Sequence, residues 1–186
     1  YSGRKKSYIR REYEKAPVLQ ELSITANISI FQDLYNTLMS KLNTSKFYFF
    51  PKDYFTHLAS INGARLWVLK YSNSIMAALI SLENEGSRVV EYHLGAHISD
   101  SRYRAMETLI HLVAVRYKEL KFQSFYLGGG RSRAPDDGLL RFKKDFSKDL
   151  YDFNIGVNIF DRTTYSEINK NPQFIKHSDR HIFYRD

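Results

Sequence analysis

Three β-patterned runs followed directly by a long amphipathic helix constrain this chain's fold more than any other feature. Residues 65–71 and 75–83 are rich in strand formers and are separated only by Ser72-Asn73-Ser74, which predicts a tight hairpin. After Asn84-Glu85-Gly86-Ser87, residues 88–97 alternate apolar and polar and form a third run. Residues 102–120 then carry Met106, Leu109, Ile110, Val113, Tyr117 and Leu120 on one helical side. A meander pairs with itself, and a crossover helix returns the chain to the same sheet. The expectation is α/β or α+β: a central mixed sheet flanked by helices.

The remaining elements fit around that unit. Residues 4–15 (RKKSYIRREYEK) form a basic, helix-prone stretch closed by Pro17. Residues 18–24 read as a short strand. Asn27 or Ser29 is the expected N-cap of a helix to Leu42, with Phe31, Leu34, Tyr35, Leu38 and Leu42 on its buried face. A second helix is expected from Pro51, carrying Tyr54, Phe55, Leu58 and Ile61. Beyond the long helix, residues 123–127 read as a strand, 136–147 as a short helix, 149–160 as a strand, 162–169 as a helical turn or two, and 182–184 as an edge strand. The domain reading is a basic linker or end of a preceding domain at 1–16, a main domain at 17–170 and a tail at 171–186.

Composition narrows the chemistry. The 186 residues contain no cysteine, which excludes disulfide scaffolds, thiolate zinc sites, iron–sulfur clusters and cysteine nucleophiles. That fits a reducing, cytoplasmic setting. No apolar run approaches the ~20 residues that span a bilayer. The net charge of +8 points toward polyanionic partners such as nucleic acid or phosphorylated ligands, while many soluble proteins are basic without binding any. No HExxH or other metal constellation is present, and no metal is expected.

The stretch LGGGRSRAPDDGLLRFKKDF carries the sharpest signal. Gly128, Gly129 and Gly130 after a strand permit a close backbone approach, or simply a flexible turn; the spacing is neither a Walker loop nor GxGxxG. In the helix that follows, Leu139, Phe142 and Phe146 share one face. At ~100° per residue Lys143 falls inside that apolar arc, whereas Lys144 points to the solvated side. A lysine there is costly unless it is paired, reaches a site, or snorkels to water. Such an ammonium can hold an anion or stabilise charge developing on a carbonyl oxygen. Glu91 and His93 share one strand face and Tyr92 takes the other. His93 is either a general base for an amine or a hydrogen-bonded structural residue. Glu107 and His111, spaced i, i+4, read as a surface pair. Arg102 and Arg104 flank a helix N-terminus, which is suited to an anion or to a cap from Ser99, Asp100 or Ser101.

On the motifs VEYHLGAHISDSRYRAMETLIHLVAVRYKEL, FYLGGG and PDDGLLRFKKDF, the chain resembles the Fem-type, FemAB-like members of the GNAT superfamily. The order of elements is also that of the GNAT fold, and RKKSYIRREYEK looks like the basic segment linking two GNAT halves. The resemblance implies a C-terminal GNAT domain of a larger protein, in keeping with a chain that starts at Tyr1. It implies transfer of an acyl or aminoacyl group to an amine, many members using aminoacyl-tRNA to build peptidoglycan bridges. It assigns Phe142 and Lys143 to the active site. The residues expected to be catalytic are Lys143, His93 and Tyr92, and those expected to bind substrate are Phe142, Tyr126, Gly128, Gly129, Gly130, Arg131, Arg102 and Arg104. The acyl donor, tRNA-linked or CoA-linked, and the amine acceptor would be the partners, with no resident cofactor. Acetyl-CoA-dependent GNAT enzymes carry Q/R-x-x-G-x-G/A before the long helix. Here AHISDSRYRA has no glycine pair, which favours an aminoacyl-tRNA over an acyl-CoA donor. A basic nucleic-acid-binding module is the non-enzymatic alternative.

Overall fold

The computed structural model describes residues 1–99, 102–130, 136–152, 154, 156 and 158–170. The first of two units, Tyr1–Asp149, contains α1 (Gly3–Tyr13), β1 (Val18–Leu22), α2 (Ile24–Lys41), α3 (Lys52–Ser60), β2 (Ala64–Tyr71), β3 (Ser74–Asn84), β4 (Val89–His97), α4 (Ala105–Glu119), β5 (Ser124–Tyr126) and α5 (Gly138–Lys144). The second, Leu150–Asp186, contains α6 (Arg162–Lys170).

The sheet follows from the meander. Ser72 and Asn73 take left-handed φ values of 47° and 68°, making a two-residue turn that folds β3 back on β2. The strands lie in the order β1-β2-β3-β4-β5, the first four antiparallel and β5 parallel to β4. The crossover that parallel pairing requires is α4. The expected mixed sheet with flanking helices is therefore present.

Alternation along the central strands splits the core in two. Trp67, Leu69, Leu79 and Val90 face α4 and meet Leu109, Ile110, Val113 and Tyr117. Leu66, Val68, Ala78 and Ile80 face the other way, onto Phe31, Tyr35, Leu38, Phe55 and Leu58 of α2 and α3. The buried indole Nε1 of Trp67 donates to Ser81 Oγ (3.0 Å), and the Tyr117 hydroxyl donates to Glu83 (3.0 Å), so the polar groups in the α4-side core are satisfied.

Several expectations shift. α2 begins at Ile24 with Ser23 as N-cap, a turn earlier than Asn27 or Ser29. Ile24 and Ile28 extend the apolar stripe, and Asn27 instead donates its side-chain amide to Ser23 O (2.9 Å). No described residue from 149 to 160 belongs to a strand. Asp149, Asp152, Asn154, Gly156 and Asn158 punctuate that run with strand-disfavouring residues. The expected strand at 182–184 lies outside the described residues. Glu107 and His111 do not pair with each other. Glu107 lies near Lys5 (3.8 Å) and Arg104 (3.6 Å), while His111 takes Tyr1 (3.1 Å). Among the described residues, no helix is long and apolar enough to cross a membrane.

Candidate active site

β4 is the strand that opens. It pairs along β3 from Asn84–Val89 to Ala77–His97, but β5 pairs with it only at Val89, Val90 and Glu91. From Tyr92 onward its far edge has no partner strand among the described residues. A bulge sits in the same place: Ile80 faces Leu94 and Ser81 faces Tyr92, leaving His93 as the extra residue. His93 and Leu94 consequently both turn to the α2 side, while Tyr92 and Gly95 face α4. A cavity of about 1150 Å³ wraps this free edge and is lined from both faces of the sheet.

Lys143 enters from the α4 side. Asp137 caps α5, its carboxylate accepting from Leu140 N–H (2.8 Å), and this directs Phe142 and Lys143 toward β4. The Lys143 ammonium donates to Gly129 O (2.9 Å) and lies 5.3 Å from the centre of the Tyr92 ring. Two of the three glycines bear on this approach. Gly128 has φ of 73°, a left-handed conformation that favours glycine. A Cβ on Gly130 would collide with the Asp137 carboxylate at 2.6 Å. Burial lowers the Lys143 pKa from its ordinary 10.5, and the charges of Asp137 and Glu91 restore only part of it.

Tyr92 lies against Gly95. A Cβ at Gly95 would meet its hydroxyl at 2.0 Å, so a glycine is required for the ring to lie along its own strand. Burial pushes the phenol well above its ordinary value, so it stays protonated and able to donate. On the opposite face His93 Nε2 bonds the Tyr54 hydroxyl of α3 at 2.7 Å. Burial lowers the His93 pKa against the opposing pull of Glu91, leaving a neutral imidazole. His93 is thus hydrogen-bonded and also lines the cavity.

The N-terminal helix braces the site. Lys5 is only 4% exposed, beside Glu107 (3.8 Å) and Asp145 (3.9 Å), with the rings of Phe142 and Phe146 at 4.8 and 4.6 Å. Glu12 is buried, accepting from Lys15 Nζ (2.6 Å), the Tyr71 hydroxyl (2.6 Å) and the backbone N–H of Arg104. Burial alone would raise its pKa, but those donors hold it below the ordinary carboxylate value. The N-terminus of α4, read from sequence as suited to an anion or to a cap, thus already faces a carboxylate of this chain. Arg104 lines the cavity and stacks 4.6 Å from the Tyr8 ring; the Arg102 guanidinium lies 5.5 Å from Tyr103.

The cavity therefore brings together Lys143, Phe142, Tyr92, His93, Gly130 and Arg104. It does not take in Tyr126, which is exposed on β5, nor Gly128 and Gly129, which act through Lys143. Arg131, Asp100 and Ser101 lie outside the described residues. Reading the sequence missed Gly95, Lys5 and Glu12. A glycine inside a strand pattern was the available signal for Gly95. Among the described residues no cluster of three metal-ligating side chains occurs.

Residues 3–144 match the family model described as an acetyltransferase (GNAT) domain. Among solved structures, an aminoglycoside acetyltransferase from an uncultured soil metagenomic sample aligns over 76% of this chain and 97% of its own, at 15% identity and a TM-score of 0.54. A ribosomal-protein-alanine N-acetyltransferase from Brucella melitensis biovar Abortus 2308 aligns over 77% of this chain and 99% of its own, at 17% identity and a TM-score of 0.54. The L-PGS protein of Bacillus licheniformis aligns over 78% of this chain but 52% of its own, at 18% identity and a TM-score of 0.57, so this chain spans about half of it. At these identities the likeness is one of fold. A search of curated proteins finds no match.

Proposed function

Because the chain belongs to the GNAT acetyltransferase family, we propose that it moves an acyl group from an ester or thioester donor to an amine at the free edge of β4. The observation that carries this reading is that Lys143 and His93 reach one cavity from opposite faces of the sheet, with Tyr92 beside Lys143. The donor carbonyl sits on the Lys143 side and the amine on the His93 side. The amine nitrogen bonds to the carbonyl carbon, and Lys143 stabilises the negative charge that develops on the oxygen. The tautomer of His93 that donates from Nε2 to Tyr54 leaves Nδ1 to accept the amine proton. As the carbon–oxygen or carbon–sulfur bond breaks, the protonated Tyr92 phenol supplies a proton to the leaving atom.

Within this reading we favour the Fem-type donor, aminoacyl-tRNA. Two features support a donor other than acyl-CoA. The stretch before α4 lacks the glycine pair that wraps a pyrophosphate, and the Glu12 carboxylate occupies the Arg104 N–H that such a phosphate would compete for. The exposed cations Arg4, Lys6, Arg10 and Arg11 of α1 offer a tRNA backbone contact. The acyl-CoA version is supported by the family description itself. Thermal-shift titration separates the two. A donor at a hundred times its Kd stabilises by ~2.7 kcal/mol, a shift of about 5–10 °C. The Fem-type version expects that shift with aminoacyl-tRNA and none with acetyl-CoA at micromolar levels. The reverse pattern selects acyl-CoA, and no shift with either defeats the transferase reading.

A further inference from the structure

We propose that the α2 side of the cavity is an acceptor pocket for an amine carried on an apolar body, an alkyl chain or an aromatic ring, and that it discriminates against polyamines and charged peptides. The proposal rests on the transferase reading above, narrows its acceptor, and departs from a peptidoglycan peptide. On the His93 side the cavity wall is Tyr35, Leu38, Met39, Leu42 and Tyr48, with Leu94 from β4. All six present carbon surface, and burial pushes the Tyr35 phenol up to about 12, so it stays neutral.

The charge pattern points the same way. A site for a polycation needs carboxylates, and none of the described residues lining this side supplies one. The carboxylates that do line the cavity, Glu107 and Asp137, belong to the α4 side and are engaged: Glu107 with Lys5 and Arg104, Asp137 with the α5 N-terminus. The exposed Lys41 and Lys46 lie in the segment that supplies Leu42 and Tyr48. Burial lowers the pKa of His97, another lining residue, against the opposing pull of Glu107, and the charge of Lys41 lowers it further. A second ammonium entering here would meet the charge of Lys41, and no carboxylate among the described lining residues of this side would pair with it. A single amine can shed its proton to enter an apolar lobe, and the neutral form is the one that attacks. The apolar body belongs to the acceptor and not to the donor because His93, the proton acceptor, opens on this side of the strand.

Direct binding to the intact chain tests the acceptor class without a donor. The probes are n-butylamine, n-hexylamine and n-octylamine, 2-phenylethylamine, spermidine, and a lysine-bearing tripeptide, titrated by calorimetry into the wild-type protein and into Leu42→Asp. Leu42 is 56% exposed, so the substitution spares the core. The expected result is affinity rising about fourfold per methylene along the alkyl series, with spermidine and the tripeptide at least tenfold weaker than octylamine. Leu42→Asp flattens the series and raises spermidine affinity. Spermidine or tripeptide binding as tight as octylamine overturns the proposal, as does a chain-length dependence that Leu42→Asp leaves unchanged. If the series behaves as expected but neither acetyl-CoA nor aminoacyl-tRNA yields an acylated amine, the transferase reading fails while the selectivity of the pocket stands.

Discussion

Lys5 offers a clean contest between desolvation and ion pairing. Its ammonium is almost fully buried between Glu107 and Asp145 and under two phenylalanine rings, and removing one member of a buried pair ordinarily costs about 3–5 kcal/mol. Two facts reduce that figure here. Both carboxylates keep a second cation, Glu107 with Arg104 and Asp145 with Arg4, each at 3.6 Å. Burial, joined by the charges of Arg104 and Arg4, also lowers the Lys5 pKa against the pull of its two acidic neighbours, so the site as a whole disfavours the charge. Lys5→Met keeps the stem and drops the charge. It should change stability by no more than about 1 kcal/mol, or roughly 2–4 °C in a thermal melt. Lys5→Glu would put a third carboxylate in the same space and should cost at least about 4 kcal/mol. The pH dependence has a definite sign. A lysine whose pKa falls on folding binds fewer protons in the native state than in the unfolded chain as pH approaches 10.5. Wild type should therefore gain on Lys5→Met between neutral pH and about pH 10. Circular-dichroism melts of both variants across that range provide the assay. A loss of about 3–5 kcal/mol in Lys5→Met at neutral pH, or a gap that moves the other way with pH, would refute the claim that desolvation dominates.

Glu12 should behave oppositely. Its lowered pKa means its stabilisation is present above the ordinary carboxylate value of 4.5 and lost as pH falls through the folded value, so the roughly 2–3 kcal/mol deficit of Glu12→Gln at pH 7 should shrink in melts below pH 4.5. Gly95→Ala should cost about 1–3 kcal/mol by driving the new Cβ into the Tyr92 hydroxyl. A denaturation double-mutant cycle with Tyr92→Ala should recover at least about 1 kcal/mol of that, and strict additivity would show that the collision is not the cause.

Most of the framework was legible because its signals are local. The Ser72-Asn73 turn, the alternation of the meander strands and the period of α4 each depend on neighbouring residues, and the elements follow within a few residues. Lys143 was legible for a related reason: a charge on the apolar stripe of a short helix has few places to go. The rest depends on long-range placement. The His93 bulge is a mismatch between two strands, and neither strand alone encodes it. The basic stretch 4–15 hid its two anchors, Lys5 and Glu12, among charges that look alike in sequence and differ only in what α4, β2 and α5 bring to them. The α2 wall of the cavity was read as core-facing helix, since an apolar stripe looks the same whether it meets a strand or a ligand.

The central claim is that Lys143 acts on an acyl group delivered to the free edge of β4. It is tested most directly by following acyl transfer to 2-phenylethylamine by mass spectrometry, from acetyl-CoA and from aminoacyl-tRNA in parallel, in wild type and in Lys143→Ala. Product should form from one of the donors, and the substitution should slow it by about 10²–10³ while the protein remains folded. A Lys143→Ala protein that transfers at the wild-type rate from that donor would contradict the claim.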